Sequence, residues 1–155
     1  MVKYTFEVRD QKAQPVLSIR KKTTVEKLPD LIGESYTKIM DYMNELGEQP
    51  AGVPFTAYYS LDMHDLDVEM GFPVTRPLPE KDEIKAGETP AGKIVSTMYK
   101  GPYAGMEEPY TEMAKWINDN GYKSTGVYYE YYYNSPADVP ESDLLTKIVM
   151  PVKES

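Results

Sequence analysis

Residues 127–136 read Val-Tyr-Tyr-Glu-Tyr-Tyr-Tyr-Asn-Ser-Pro, and the single acid in that aromatic run, Glu130, is the side chain most able to do chemistry. Strand side chains alternate faces, so Tyr128, Glu130 and Tyr132 share one face while Val127, Tyr129, Tyr131 and Tyr133 share the other. If the Glu130 face is covered, a carboxylate sits among ring faces with no basic residue nearby in sequence, which is costly unless something pairs with it. A bound organic cation would do so. The other reading is that Glu130 points into water from an exposed sheet face, as most glutamates do, and spacing alone leaves both open.

The remaining candidates carry the same duality. Tyr58, Tyr59, Tyr99, Tyr103, Tyr110, Tyr128 and Tyr132 suit an aromatic cage or a plain core, and the excess of Tyr (14) over Phe (3) and Trp (1) favours rings with a polar tip. Trp116 either packs on a sheet or roofs a groove. The nine methionines would let a pocket reshape around different guests, or simply fill a core. His64, in Asp62-Met63-His64-Asp65-Leu66-Asp67, lacks the alternate acids and sixth-position glycine of a calcium loop and reads as a solvated turn. With no Cys, a thiolate zinc site and a cysteine nucleophile are excluded within the chain, and with its lone His read as part of a solvated turn no conventional Ser-His-Asp triad is expected unless a partner chain contributes. Phosphate loops, GxSxG elbows and CxxC pairs are absent, so no metal and no cofactor are expected.

The elements that position these residues come from a weak internal repeat. Residues 33–47 lie over residues 107–121, matching Tyr36-Thr37 to Tyr110-Thr111 and Gly47 to Gly121. Both segments are apolar at helical spacing, through Tyr36, Ile39, Met40, Met43 and Leu46 in one and Met106, Tyr110, Met113, Ala114 and Ile117 in the other. Each stops at a glycine suited to a left-handed cap, and Pro109 fits a first helical turn. A strand precedes each helix (16–19 and 93–99) and two follow (55–59 with 67–74, and 127–133 with 145–152). The unit is β-α-β-β, present twice, with an opening strand from Tyr4 to Arg9 added to the first copy. The linker Arg76-Pro77-Leu78-Pro79-Glu80-Lys81-Asp82-Glu83 joins the copies.

The resulting expectation is an α+β fold. Duplicated β-α-β-β units form a pseudo-twofold antiparallel sheet with two main helices, in one domain spanning 1–155 with pseudo-repeats 1–76 and 88–155. Each half alone would leave a sheet edge and a helix face uncovered, and a groove between related halves is a natural ligand site. Aligning the helix-terminal glycines puts Thr56 over Glu130 and Tyr58 over Tyr132, so the carboxylate occurs in one copy only. A requirement of the scaffold should recur in both copies; a ligand-specific group need not.

With 41% apolar and 27% charged residues and no long apolar run or signal-peptide pattern, the chain is expected to be cytoplasmic, with no membrane partner. A formal charge of −8 repels phosphate backbones, so no direct nucleic-acid partner is expected.

Taken in order, Asp67-Val68-Glu69-Met70-Gly71-Phe72-Pro73-Val74, Tyr99-Lys100-Gly101-Pro102-Tyr103, Trp116-Ile117-Asn118-Asp119-Asn120-Gly121 and Glu130-Tyr131-Tyr132-Tyr133-Asn134-Ser135-Pro136 resemble the gyrase-inhibitor-like (GyrI-like) small-molecule-binding domain. The same fold serves as the effector-binding domain of bacterial multidrug-sensing transcription regulators. The resemblance runs from about Lys3 to Val152. It implies a sheet carrying two helices and an aromatic pocket in which a glutamate on the penultimate strand, here Glu130, pairs with lipophilic cations. Tyr132 matches the tyrosine two residues on. Tyr131 stands where the family has a small aliphatic residue and Ser135 where it has an aspartate, changes that bear on pocket shape and on the following turn. Candidate walls are Tyr58, Tyr99, Tyr103, Trp116, Tyr128 and Tyr132.

The function expected on this basis is a stand-alone sensor or sequestering domain for hydrophobic, cationic small molecules. Only a strand-like opening precedes the repeat, so a DNA-reading role would need a separate DNA-binding protein. Two alternatives remain. One is a hydrolase opening strained cyclopropane rings, with Glu130 and Tyr132 as the catalytic pair. The other is an acidic protein that inhibits by binding another protein.

Overall fold

The computed structural model describes residues 4–60, 62 and 64–154. Among these lie the strands β1 (Glu7–Gln11) and β2 (Pro15–Thr23), the helix α1 (Leu28–Leu46), and strands β3 (Phe55–Ser60), β4 (Leu66–Pro73), β5 (Lys85–Glu88) and β6 (Gly92–Lys100). They are followed by helix α2 (Glu107–Asp119), β7 (Tyr122–Ser124), β8 (Tyr128–Tyr132) and β9 (Leu145–Glu154). The strand pairing is antiparallel and the class is α+β. No helix among the described residues is long and apolar enough to cross a membrane. The chain divides into two compact units, Lys12–Ala91 and the segment before Lys12 together with Gly92 onward.

In the Lys12–Ala91 unit the strands run β3-β4-β2-β5. One face takes α1. Leu17, Ile19, Phe72 and Val74 pack with Ile39, Tyr42 and Met43, and Leu66, Val68 and Met70 pack with Leu28, Leu31, Ile32, Tyr36 and Tyr58. The helix begins at Leu28, ahead of the Gly33 start that the repeat predicts, because Leu28, Leu31 and Ile32 extend the apolar stripe by a turn and more. Pro29 sits in that first turn, where its missing N–H costs nothing, and Gly47 closes the helix at φ 70°.

Period-two alternation turns Ser18, Arg20, Asp67, Glu69 and Tyr59 to the opposite face. There Ser18 Oγ and Tyr59 Oη each donate to Glu69 at 2.5 Å. Arg20 donates to both oxygens of Asp67 at 2.8 and 2.9 Å and lies 3.7 Å over the Tyr59 ring. Gly71 is required by close approach, since a Cβ there would meet the Leu17 carbonyl oxygen at 2.5 Å.

In the other unit the strands run β1-β6-β9-β8, with β7 also on β9. The opening strand is a correction to the sequence reading. It does not extend the first repeat but pairs with β6, Glu7 opposite Ser96 through Gln11 opposite Gly92. Val8 and Arg9 carry no signal for which strand they will meet; register is fixed only when the partner edge exists. Helix α2 lays Met113 and Ile117 against Val95, Tyr99, Ile148, Met150 and Val152. Ala114, read as part of the stripe, is exposed, and Pro109 is buried in its place. Gly121 follows the helix at φ 80°. The short strands β5 and β7, which the sequence reading leaves out, are defined by backbone pairing with β2 and β9.

Candidate ligand-binding site

The register of β6, β9 and β8 builds the site in cross-strand rows. Thr97 stands opposite Ile148, which stands opposite Glu130; Tyr99 stands opposite Thr146, which stands opposite Tyr132. These side chains share the face that packs on α2, because Val95, Tyr99, Ile148, Met150 and Tyr128 all contact its cluster. Glu130 is therefore on the covered side of its strand, 9% exposed.

Tyrosine hydroxyls hold that carboxylate. Tyr110, from the first half of α2, donates to Oε2, and Tyr132 donates to Oε1 at 2.7 Å. Among the described residues Glu130 makes no ion pair. Burial pushes its pKa up, and the bonds from Tyr110 and Tyr132 pull in the opposite direction by favouring the anion. Desolvation dominates. The group is thus a carboxyl whose charge is costly when it faces phenols alone.

Two further rings complete the surround. Tyr128 meets Tyr110 edge-on with centroids 5.9 Å apart, and Tyr103 meets Tyr132 edge-on at 6.0 Å. Tyr103 is 42% exposed, so the cluster grades from a buried acid to a solvent-facing ring. The Tyr103 phenol is pushed up by burial and by the nearby Glu130 charge.

A buried neighbour fixes the turn that carries Tyr103. Tyr99 donates to the Pro102 carbonyl at 2.8 Å, and a Cβ on Gly105 would stand 2.3 Å from the Tyr99 hydroxyl oxygen. Gly101, at φ 146°, donates its N–H to the Leu144 carbonyl at 2.8 Å. The Tyr-Lys-Gly-Pro-Tyr motif is a folded turn that places Tyr103 beside Tyr132. Asn134 braces the far end of β8, accepting from Leu145 N–H at 2.8 Å and donating to the Asp143 carbonyl at 3.1 Å. Ser135, which stands where the resemblance places an aspartate, bonds Asp138 at 3.0 Å.

Of the candidate walls, Tyr103, Tyr128 and Tyr132 gather round the acid with Tyr110, and Tyr99 supports them from the next row. Trp116 lies elsewhere on α2, tilted on Phe6 at 5.8 Å. Tyr58 belongs to the Lys12–Ala91 unit, where it packs on Leu66, Val68 and Met70. Tyr131 stacks on Tyr129 at 6.3 Å, on the face opposite Glu130. Tyr110 is among the rings that suit an aromatic cage, though not among the candidate walls, and it is the one that donates to Glu130 Oε2. Tyr36 and Thr56, which the repeat lays over Tyr110 and Glu130, also meet, hydroxyl to hydroxyl at 3.0 Å. Of the His64 run, Asp62, His64 and Asp65 lie in an exposed turn in which Asp62 accepts from the His64 N–H at 3.0 Å, while Leu66 and Asp67 begin β4; Met63 lies outside the described residues.

The sequence profile of the GyrI-like small molecule binding domain matches residues 4–153. The chain belongs to the GyrI-like family. Similar solved structures include EcmrR in its complex with DNA, at 22% identity and a TM-score of 0.84, covering 98% of this GyrI-like domain and 58% of the EcmrR chain. The EcmrR C-terminal domain alone matches at 23% identity and 0.76, covering 98% and 99%. This chain thus spans little more than half of EcmrR. A hydrolase from Listeria innocua matches at 16% identity and 0.70, covering 96% and 91%. SAV2435 bound to tetraphenylphosphonium matches at 12% identity and 0.67, covering 98% and 94%. At these identities the likeness is one of fold. No curated protein matches.

Proposed function

We propose that this GyrI-like domain binds hydrophobic, cationic small molecules, with Glu130 as counter-charge and Tyr103, Tyr110, Tyr128 and Tyr132 as the surrounding rings. The observation that carries the reading is a carboxylate 9% exposed, held by phenols and by no ion pair among the described residues. A lipophilic cation brings the missing charge together with apolar surface that replaces water, and ring faces attract it further. That a neighbour in fold is solved with tetraphenylphosphonium supports the choice of ligand class. Binding favours the anion, so affinity weakens as pH falls through the titration of Glu130.

Titration with tetraphenylphosphonium and with neutral triphenylphosphine oxide tests the assignment. Glu130→Gln should weaken the cation tenfold or more, taking about 2 kcal/mol for a desolvated charge contact, and leave the neutral compound unchanged. Equal affinities of the cation for both proteins would remove the counter-charge role. The same carboxyl and phenols also suit general acid–base hydrolysis of a strained ring. Mass spectrometry of a cyclopropane-bearing alkylator separates the two: binding yields at most one product per chain, and turnover yields more.

A further inference from the structure

Two threonines on the Glu130 face carry hydroxyls left unpaired among the described residues. Thr97 on β6 and Thr146 on β9 are 4% and 1% exposed, and neither hydroxyl meets a hydrogen-bond partner among the described residues. Their neighbours are satisfied, Tyr99 on the Pro102 carbonyl and Tyr132 on Glu130. Buried polar groups are normally paired, and valine would fill the same volume with no desolvation cost. A second unpaired hydroxyl in the same layer makes chance packing a poor explanation.

Their placement points to the ligand. Glu130, Ile148 and Thr97 form one row across three strands, which sets Thr97 about 10 Å from Glu130 at the usual strand spacing. Thr146 faces Tyr132 in the next row, diagonal to Glu130 at roughly 7–8 Å. We propose that Thr97 and Thr146 hydrogen-bond a neutral polar group of the ligand. The class bound is then an aromatic cation bearing a hydroxyl, amide or carbonyl roughly 7–10 Å from its positive centre. This inference rests on the reading of Glu130 as the counter-charge. Selectivity follows, because a site with hydroxyls to satisfy prefers the guest that satisfies them.

The test compares tetraphenylphosphonium with (4-carbamoylphenyl)triphenylphosphonium, equal in charge and close in size, on wild type, Thr97→Val, Thr146→Val, the double variant and Glu130→Gln. Wild type should prefer the amide-bearing cation by about three- to tenfold, the worth of one or two neutral hydrogen bonds. The double valine variant should lose that preference, keep its affinity for tetraphenylphosphonium, and melt at or above the wild-type temperature without ligand. No preference in wild type, a preference that survives in the double variant, or a lower melting point for both single variants overturns the inference. In the same titrations Glu130→Gln should weaken both cations equally. If it does so while the valine variants change nothing, the counter-charge stands and the threonine role falls; if neither cation responds to Glu130→Gln, both fall together.

Discussion

Tyr110→Phe isolates what a single hydroxyl does to the buried acid. The substitution keeps the ring that meets Tyr128 at 5.9 Å and deletes only the oxygen that donates to Glu130 Oε2. A hydrogen bond to a charged acceptor is worth about 1.5–3 kcal/mol, so losing it should destabilise the Glu130 anion by about that much and push its pKa further up. Tyr132 still donates at 2.7 Å, which keeps the shift to one bond's worth. The assay is a pH titration of glutamate side-chain carboxyl carbons by NMR, with Glu130 assigned from the signal that disappears in Glu130→Gln. Tyr99→Phe is the control, since that hydroxyl serves the Pro102 carbonyl and should leave Glu130 unmoved. A Glu130 midpoint in Tyr110→Phe equal to or below that of wild type would refute the account of the site as a desolvated anion held by phenols.

Three other outcomes follow from the same geometry. Because the Glu130 pKa is raised in the folded state, the native protein holds a proton that the unfolded chain has released above the ordinary value of 4.5, so ligand-free stability falls as pH rises through the folded pKa. Glu130→Gln should flatten that decline in melting temperature, and an identical slope in both proteins would contradict it. Gly105→Ala places a Cβ 2.3 Å from the Tyr99 hydroxyl oxygen and should cost about 1–3 kcal/mol in urea unfolding, less in a Tyr99→Phe background where the clashing atom is gone. Gly33→Ala, at an exposed position inside α1 where a Cβ meets nothing within 4 Å, should stabilise by about 0.5–1 kcal/mol; a loss would mean the helix does not run through Gly33.

Much of the architecture was legible because it rests on local periodicity. The stripe of Ile39, Met43 and Leu46, the glycine stops at Gly47 and Gly121, and the six long strand segments each carry their signal within a few residues. The opening strand was misplaced because edge pairing is a property of the partner, and β5 with the residues Lys-Ala-Gly-Glu has no apolar alternation to read. The early start of α1 was hidden by Gly33, a residue that usually marks a boundary and here merely weakens an exposed turn.

By itself the sequence determined that a lone acid stands among tyrosines and that Tyr128, Glu130 and Tyr132 share a face, since alternation along a strand is a fact of backbone geometry. Which face is covered was not in the sequence. That depends on where α2 lands, and only the tertiary structure put Tyr110 over Oε2, set Trp116 against Phe6, and brought Thr97 into the row of Glu130 with Thr146 in the next row. The physical reason is range. Periodicity is decided by neighbours in the chain, whereas desolvation and hydrogen bonding of a carboxylate are decided by atoms that arrive from segments tens of residues away.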